Sequence, residues 1–177
     1  VISKNGKIYN LVDDDKRAWH AGVSEWKRDK NLNNSSIGIE IVYEGEKTKK
    51  KFSFLQIQSL VFLLKILKKK YFIKNSNIIA HSDIAPTRKI DPGIFFPWKE
   101  LSQNSLTIWS DFPKNIKKEA LSKEDIQIFL KNLKKIGYNV QTNNQSIKNN
   151  IKIINSFHRH YLPNFLNDKP SNISFWM

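Results

Sequence analysis

His81, Lys89 and Asp91 fall within one stretch, HSDIAPTRKIDPGIFFPW, residues 81 to 98. A histidine nitrogen and a carboxylate oxygen are both zinc donors, and a catalytic zinc site uses three protein ligands and leaves one position for water. Pro86, Pro92 and Gly93 stiffen the loop that carries them. Lys89 has a purpose in that setting, because zinc-assisted attack of water on a carbonyl creates an oxyanion that a nearby ammonium stabilises. The same residues also fit a capped loop with a surface lysine, and spacing alone leaves both readings open.

A second polar group stands where apolar residues surround it: Glu40 in IGIEIVY. A carboxylate there faces solvent or a cleft, since burying it unpaired is costly. If its segment borders the His81 loop, Glu40 is a candidate general base; otherwise it is a glutamate on the outer side of a half-exposed strand. The third place is RAWHAGVSEW, where Trp19, His20 and Trp26 flank a small-residue turn. Such a run can wall a ligand cleft, although a core Trp and a hydrogen-bonded His is the commoner outcome. His158 and His160 in FHRHY are two positions apart, so they do not share a helical face. They read as surface residues at a helix end.

Elements that position these groups follow from periodicity. Asn5-Gly6 between short apolar runs predicts a type I′ hairpin. Ile37, Ile39 and Ile41 alternate with Gly38 and Glu40, which predicts a strand with the isoleucines on one face. Ser53 and Gln56 form a capping-box pattern before a helix with Leu60, Leu63, Leu64 and Leu67 on one stripe and Lys68, Lys69 and Lys70 in its last turns. NIIAH predicts a short buried strand that delivers His81. Strand, helix and strand in this order give an α/β class with a mixed central sheet flanked by helices. After Trp98 a connecting segment is expected, then a helix capped by Ser122 with Ile126, Phe129, Leu130 and Leu133 inward and Gly137 at its stop. A polar loop and a last helix carrying Ile147, Ile151, Ile154 and Phe157 follow, ended by Pro163.

Bulk composition narrows the class. The chain has 177 residues, no cysteine and a formal net charge of +14. Disulfides and thiolate metal sites are excluded. No run approaches the ~18 apolar residues of a membrane span. The positive field suits an anionic partner, and a lysine-rich composition accounts for it equally well. KTKKK and KILKKK carry no recognisable base-reading or base-stacking module, so no nucleic acid is expected.

AWHAG, SIGIE and HSDIAPTRKIDPGIFFPW together, in this order, resemble the zinc-dependent type 2 N-acetylmuramoyl-L-alanine amidases. The resemblance covers roughly the first hundred residues, and three ordered blocks are far more specific than one. The second half resembles a helical peptidoglycan-binding module more softly, through its helix pattern and Gly137, Tyr138 and Phe157; the pairing is most similar to the AmiD-like branch. What this implies is a catalytic domain over residues 1–112 and a peptidoglycan-binding-like module over 113–177. It implies Zn2+ as cofactor, with His81 and Asp91 as the second and third ligands. Glu40 is implied as general base, Lys89 as the group that steadies the tetrahedral intermediate, and His20, Trp19 and Arg88 as substrate contacts. The implied reaction is hydrolysis of the amide between the lactyl group of N-acetylmuramic acid and L-alanine, with peptidoglycan or muropeptides as partners. A periplasmic or outer-membrane-associated location is expected over a cytoplasmic one. The family's first ligand, a histidine upstream of the opening hairpin, has no counterpart after Val1. An N-terminally truncated catalytic domain is therefore expected, with wall binding without catalysis as the alternative outcome.

Overall fold

The computed structural model describes residues 1–111, 117–141 and 147–175. The 112/113 boundary, the polar loop before the last helix and the final two residues lie outside that set. Six α-helices are described: α1 (Leu32–Ser35), α2 (Phe54–Tyr71), α3 (His81–Ile84), α4 (Trp98–Gln103), α5 (Lys123–Ile136) and α6 (Ile147–Tyr161).

Helix α2 begins where its sequence dictates. Ser53 Oγ accepts from Gln56 N at 3.2 Å, and Gln56 Oε1 accepts from Ser53 N at 3.0 Å. Two of the N–H groups that a helix start leaves without partners are thereby satisfied. Ile57, Leu60, Leu64 and Leu67 are buried on its inner side, with Leu63 at the margin. They join Ile2, Phe52, Phe96, Trp98, Leu101 and Leu106 in one apolar cluster. Helix α5 is capped by Ser122, whose Oγ accepts from Asp125 N at 3.1 Å. It ends at Gly137, whose φ of +144° belongs to glycine and whose Cβ position lies 2.6 Å from the Trp26 ring. Phe129, Leu130 and Leu133 pack with Trp26, Tyr138, Ile154 and Phe157 in a second cluster. That cluster draws Ala21, Trp26 and Leu32 from the first part of the chain. Trp26 takes the commoner of its two readings and is core, set edge-on to Tyr138 with centroids 5.1 Å apart.

The mixed central sheet expected from alternation is not present among the described residues. Pairing there is confined to isolated bridges, notably Ile2 with Ile8 and Ile2 with Ile41. Ile2 N donates to Glu40 O at 2.8 Å and Val42 N to Ile2 O at 2.9 Å, and the ladder goes no further. The physical reason is that the extended segments meet only around Ile2. Ile39 and Ile41 spend their side chains on the apolar cluster beside α2, while Ile37 is exposed. Alternation thus recorded which side is wet, not how many neighbours the backbone pairs with. The class is one of helices joined by extended, largely unpaired segments.

The opening turn also differs in type. Gly6 N donates to Ser3 O at 2.9 Å, and Gly6 alone in the turn has positive φ, +83°. A type I turn over Ser3–Gly6 with the glycine as left-handed bulge replaces the type I′ form. Gly6 is required on a second ground, since a Cβ there would sit 2.8 Å from Leu55 O. Within the expected connecting segment, residues 98–103 form α4.

Candidate active site

Helix α3 starts at His81, directly after Ala80, and the loop that follows folds back to bring Asp91 alongside. Ser82 N donates to Asp91 O at 3.0 Å, and Ala85 O accepts from both Arg88 N and Lys89 N at 3.1 and 3.0 Å. Those bonds close the loop, so His81 Nδ1 lies 2.9 Å from Asp91 Oδ2. The other ring nitrogen, Nε2, faces Ala21 O at 3.2 Å. The Nδ1 contact with His81 is the first cause holding the Asp91 carboxyl below its ordinary value; burial opposes it, and the Lys89 charge adds to the lowering. Arg88 reaches back to the AWHAG segment, where its Nε donates to Val23 O at 2.9 Å and a terminal nitrogen to Ala21 O. The guanidinium also closes over Gly22, where a Cβ would lie 2.8 Å from it.

Of the expected site residues, the fold sets His81 against Asp91, ties His81 and Arg88 to the Ala21–Val23 backbone, and brings the Lys89 charge within reach of Asp91. Glu40 is exposed, and its backbone carbonyl is tied to Ile2. No hydrogen bond or ion pair joins its carboxylate to His81 or Asp91 among the described residues. His20 is held by its own surroundings: Nδ1 lies 3.1 Å from Ala18 O and Nε2 3.0 Å from Ser36 Oγ. Gly38 permits this, because a Cβ there would stand 2.5 Å from the imidazole. Trp19 is 78% exposed, with the Arg17 guanidinium 3.8 Å from its ring centroid. It stands at an open cleft of about 850 Å³ whose other walls include Val23, Pro86, Asn139 and Lys152. The cleft therefore runs between the His81 loop and the C-terminal helices.

Two residues read from the sequence as surface histidines are buried. His158 is 1% and His160 2% exposed. The end of α6 enters between the two apolar clusters, so it has no wet face: Phe157 packs into one cluster, while His160 stacks on Trp98 of the other with centroids 3.7 Å apart. His160 Nδ1 lies 2.6 Å from Asp83 Oδ2. Asp83 is itself buried on α3, two residues after His81. Its carboxylate also accepts from Tyr138 Oη at 2.6 Å, Ser156 Oγ at 3.2 Å and Ala80 N at 2.8 Å. Burial, then the Asp83 charge, push the Tyr138 hydroxyl well above its ordinary value, so it stays a donor. Arg159 pairs with Glu46, and Glu46 Oε1 accepts from Ile94 N at 2.8 Å just beyond Asp91. These anchors escaped the sequence reading. The signal for Asp83 was its place at the third helical position after Ala80, where a carboxylate reaches back to a free N–H; its partners on α5 and α6 left no local signal.

Zinc suits the donor pair. An imidazole nitrogen and a carboxylate oxygen 2.9 Å apart can both reach one ion at about 2.0–2.2 Å. Among the described residues no group of three His, Cys, Asp or Glu side chains completes such a site.

Residues 1–94 match the family model for N-acetylmuramoyl-L-alanine amidase. The N-acetylmuramoyl-L-alanine amidase AmiD of Escherichia coli K12 is 35% identical over 175 residues, which cover 92% of this chain and 63% of that protein. The 1,6-anhydro-N-acetylmuramyl-L-alanine amidase AmpD of Haemophilus influenzae is 41% identical over 100 residues, 56% of this chain and 53% of the relative. The chain thus spans less than two thirds of either curated relative. A solved complex of E. coli AmiD with the substrate anhydro-N-acetylmuramic acid-L-Ala-D-gamma-Glu-L-Lys superposes with a TM-score of 0.83 at 32% identity. The match covers 95% of this chain and 69% of that one.

Proposed function

The chain belongs to the N-acetylmuramoyl-L-alanine amidase family, and on that premise we propose that it takes muropeptides and hydrolyses the amide between the lactyl carbonyl of N-acetylmuramic acid and L-alanine. The observation that carries this reading is the His81–Asp91 contact of 2.9 Å on the matched segment, with Lys89 beside it.

In this reading His81 and Asp91 would hold Zn2+. When bound, the ion polarises the scissile carbonyl and makes water acidic enough to attack near neutral pH. Glu40 takes a proton from the attacking water and returns it to the leaving amine. Lys89 supplies positive charge to the developing oxyanion, where a fixed ammonium is worth more than in bulk water. Arg88, Trp19 and His20 serve as substrate contacts in this reading, and the open cleft of about 850 Å³ beside Trp19 is where the stem peptide would lie. The periplasmic side of the envelope, including the outer membrane, is where this reading places the substrate encounter.

The test is product analysis. Anhydro-muropeptide is incubated with the protein in the presence of zinc. A free stem peptide with an L-alanine N-terminus is the expected product, and Glu40→Gln or Asp91→Ala should lower its rate by at least about a hundredfold. Wall binding without any peptide release, in a chain shown to hold zinc, would replace hydrolysis by recognition alone.

A further inference from the structure

Helix α2 is apolar on two sides, and the fold uses one. Ile57, Leu60, Leu64 and Leu67 face the core. On the opposite side Leu55, Phe62 and Ile66 form a line at seven- and four-residue spacing, and all three are exposed, Phe62 by 61%. Phe54 at the first turn is also exposed, and Phe72, held left-handed just past the last turn, is 89% exposed. Single exposed apolar residues are ordinary. A continuous line along a helix about 27 Å long marks a contact surface.

Charge identifies what the surface fits. Between Phe54 and Tyr71 the chain has no Asp or Glu and four lysines. Lys68 donates to Ser105 O at 2.6 Å, and Lys70 pairs with Asp14 at 2.9 Å. Lys65 and Lys69, three residues after Phe62 and Ile66, lie on the exposed line and have no ion-pair partner among the described residues. A second copy on this face would set lysine against lysine with no carboxylate on either helix. An anionic phospholipid surface satisfies both features at once: the phenyl and aliphatic side chains enter the boundary between headgroups and acyl chains, and the ammonium groups meet phosphates.

We propose that the outer face of α2, through Leu55, Phe62, Ile66 and Phe72 with Lys65 and Lys69, docks the protein on an anionic phospholipid membrane. None of these residues belongs to the His81–Asp91 site, so the docking and the amidase reading stand or fall separately.

The test is co-sedimentation with vesicles of phosphatidylcholine alone or with roughly one quarter phosphatidylglycerol. The chain should pellet with the anionic vesicles and stay in solution with the neutral ones. Lys65→Ala/Lys69→Ala should weaken the partition about thirtyfold. Phe62→Ser/Ile66→Ser should weaken it by at least tenfold, with the circular-dichroism melt of both variants unchanged. Binding indifferent to both double substitutions, or no binding to either vesicle, overturns the proposal. So does a concentration-dependent dimer in light scattering that only the Phe62→Ser/Ile66→Ser chain lacks, because that assigns the face to a second copy.

Discussion

Replacing Asp83 by Ala removes the one acceptor on which three segments converge. Four donors lose their partner: Ala80 N at 2.8 Å, His160 Nδ1 at 2.6 Å, Tyr138 Oη at 2.6 Å and Ser156 Oγ at 3.2 Å. All lie in the interior, where an unsatisfied donor costs about 1–3 kcal/mol. The hydroxyls of Tyr138 and Ser156 can rotate toward each other, so the low end applies to them. The sum is at least about 4 kcal/mol, and up to about 8 if Ala80 N and His160 carry the full penalty. Against a total stability of about 5–15 kcal/mol this is a large fraction. Asn in place of Asp83 behaves differently. Its amide nitrogen can face the two hydroxyls, which then accept, while its oxygen still receives Ala80 N and His160. A loss of about 1–2 kcal/mol is expected. Urea denaturation followed by tryptophan fluorescence measures both, and the melting point should fall by about 10 °C for Asp83→Ala. A loss under about 1 kcal/mol for Asp83→Ala, or an Asn variant weaker than the Ala variant, would refute the reasoning.

Three further outcomes follow from the same contacts. Burial holds the His158 imidazole down at about 4 from an ordinary 6.5. The unfolded chain therefore binds the proton first, and stability should be full above pH 6.5 and fall by about 3 kcal/mol as pH drops to 4. His158→Asn should flatten that slope in urea titrations at stepped pH. Ser53→Ala removes the α2 cap and the donor to Lys4 O, at a cost of about 1–2 kcal/mol read from the urea midpoint. Gly137→Ala sets a Cβ against the Trp26 ring at φ +144° and should cost at least about 2 kcal/mol, visible as a lowered thermal midpoint.

Local chemistry was legible from sequence, and assembly was not. The Ser53–Gln56 box, the Ser122 cap and the Gly137 stop each depend on residues within one turn, and all three stand in the structure. HSDIAPTRKIDPG read as a stiffened loop carrying both donors; its first four residues are helix α3, and His81 meets Asp91 where the chain after that helix folds back. The sheet failed because alternation reports burial by face, whereas pairing depends on which distant segments arrive alongside. His158 and His160 failed for a related reason. A two-residue spacing excludes a shared face only when one face is buried, and α6 ends between two clusters that cover it all round. The anchors of α3 run from Asp83 to Tyr138, Ser156 and His160, more than fifty residues away, and no local pattern marks such partners.

The proposed chemistry is a water molecule delivered to the lactyl carbonyl, and isotope labelling addresses that step directly. Anhydro-muropeptide is digested in water enriched in oxygen-18 by the zinc-loaded protein, and both products are weighed by mass spectrometry. The account predicts a single label on the muramyl carboxylate, an unlabelled stem peptide beginning at L-alanine, and loss of both signals in Glu40→Gln. Label on the sugar ring, cleavage within the peptide, or unchanged turnover in Glu40→Gln would contradict it.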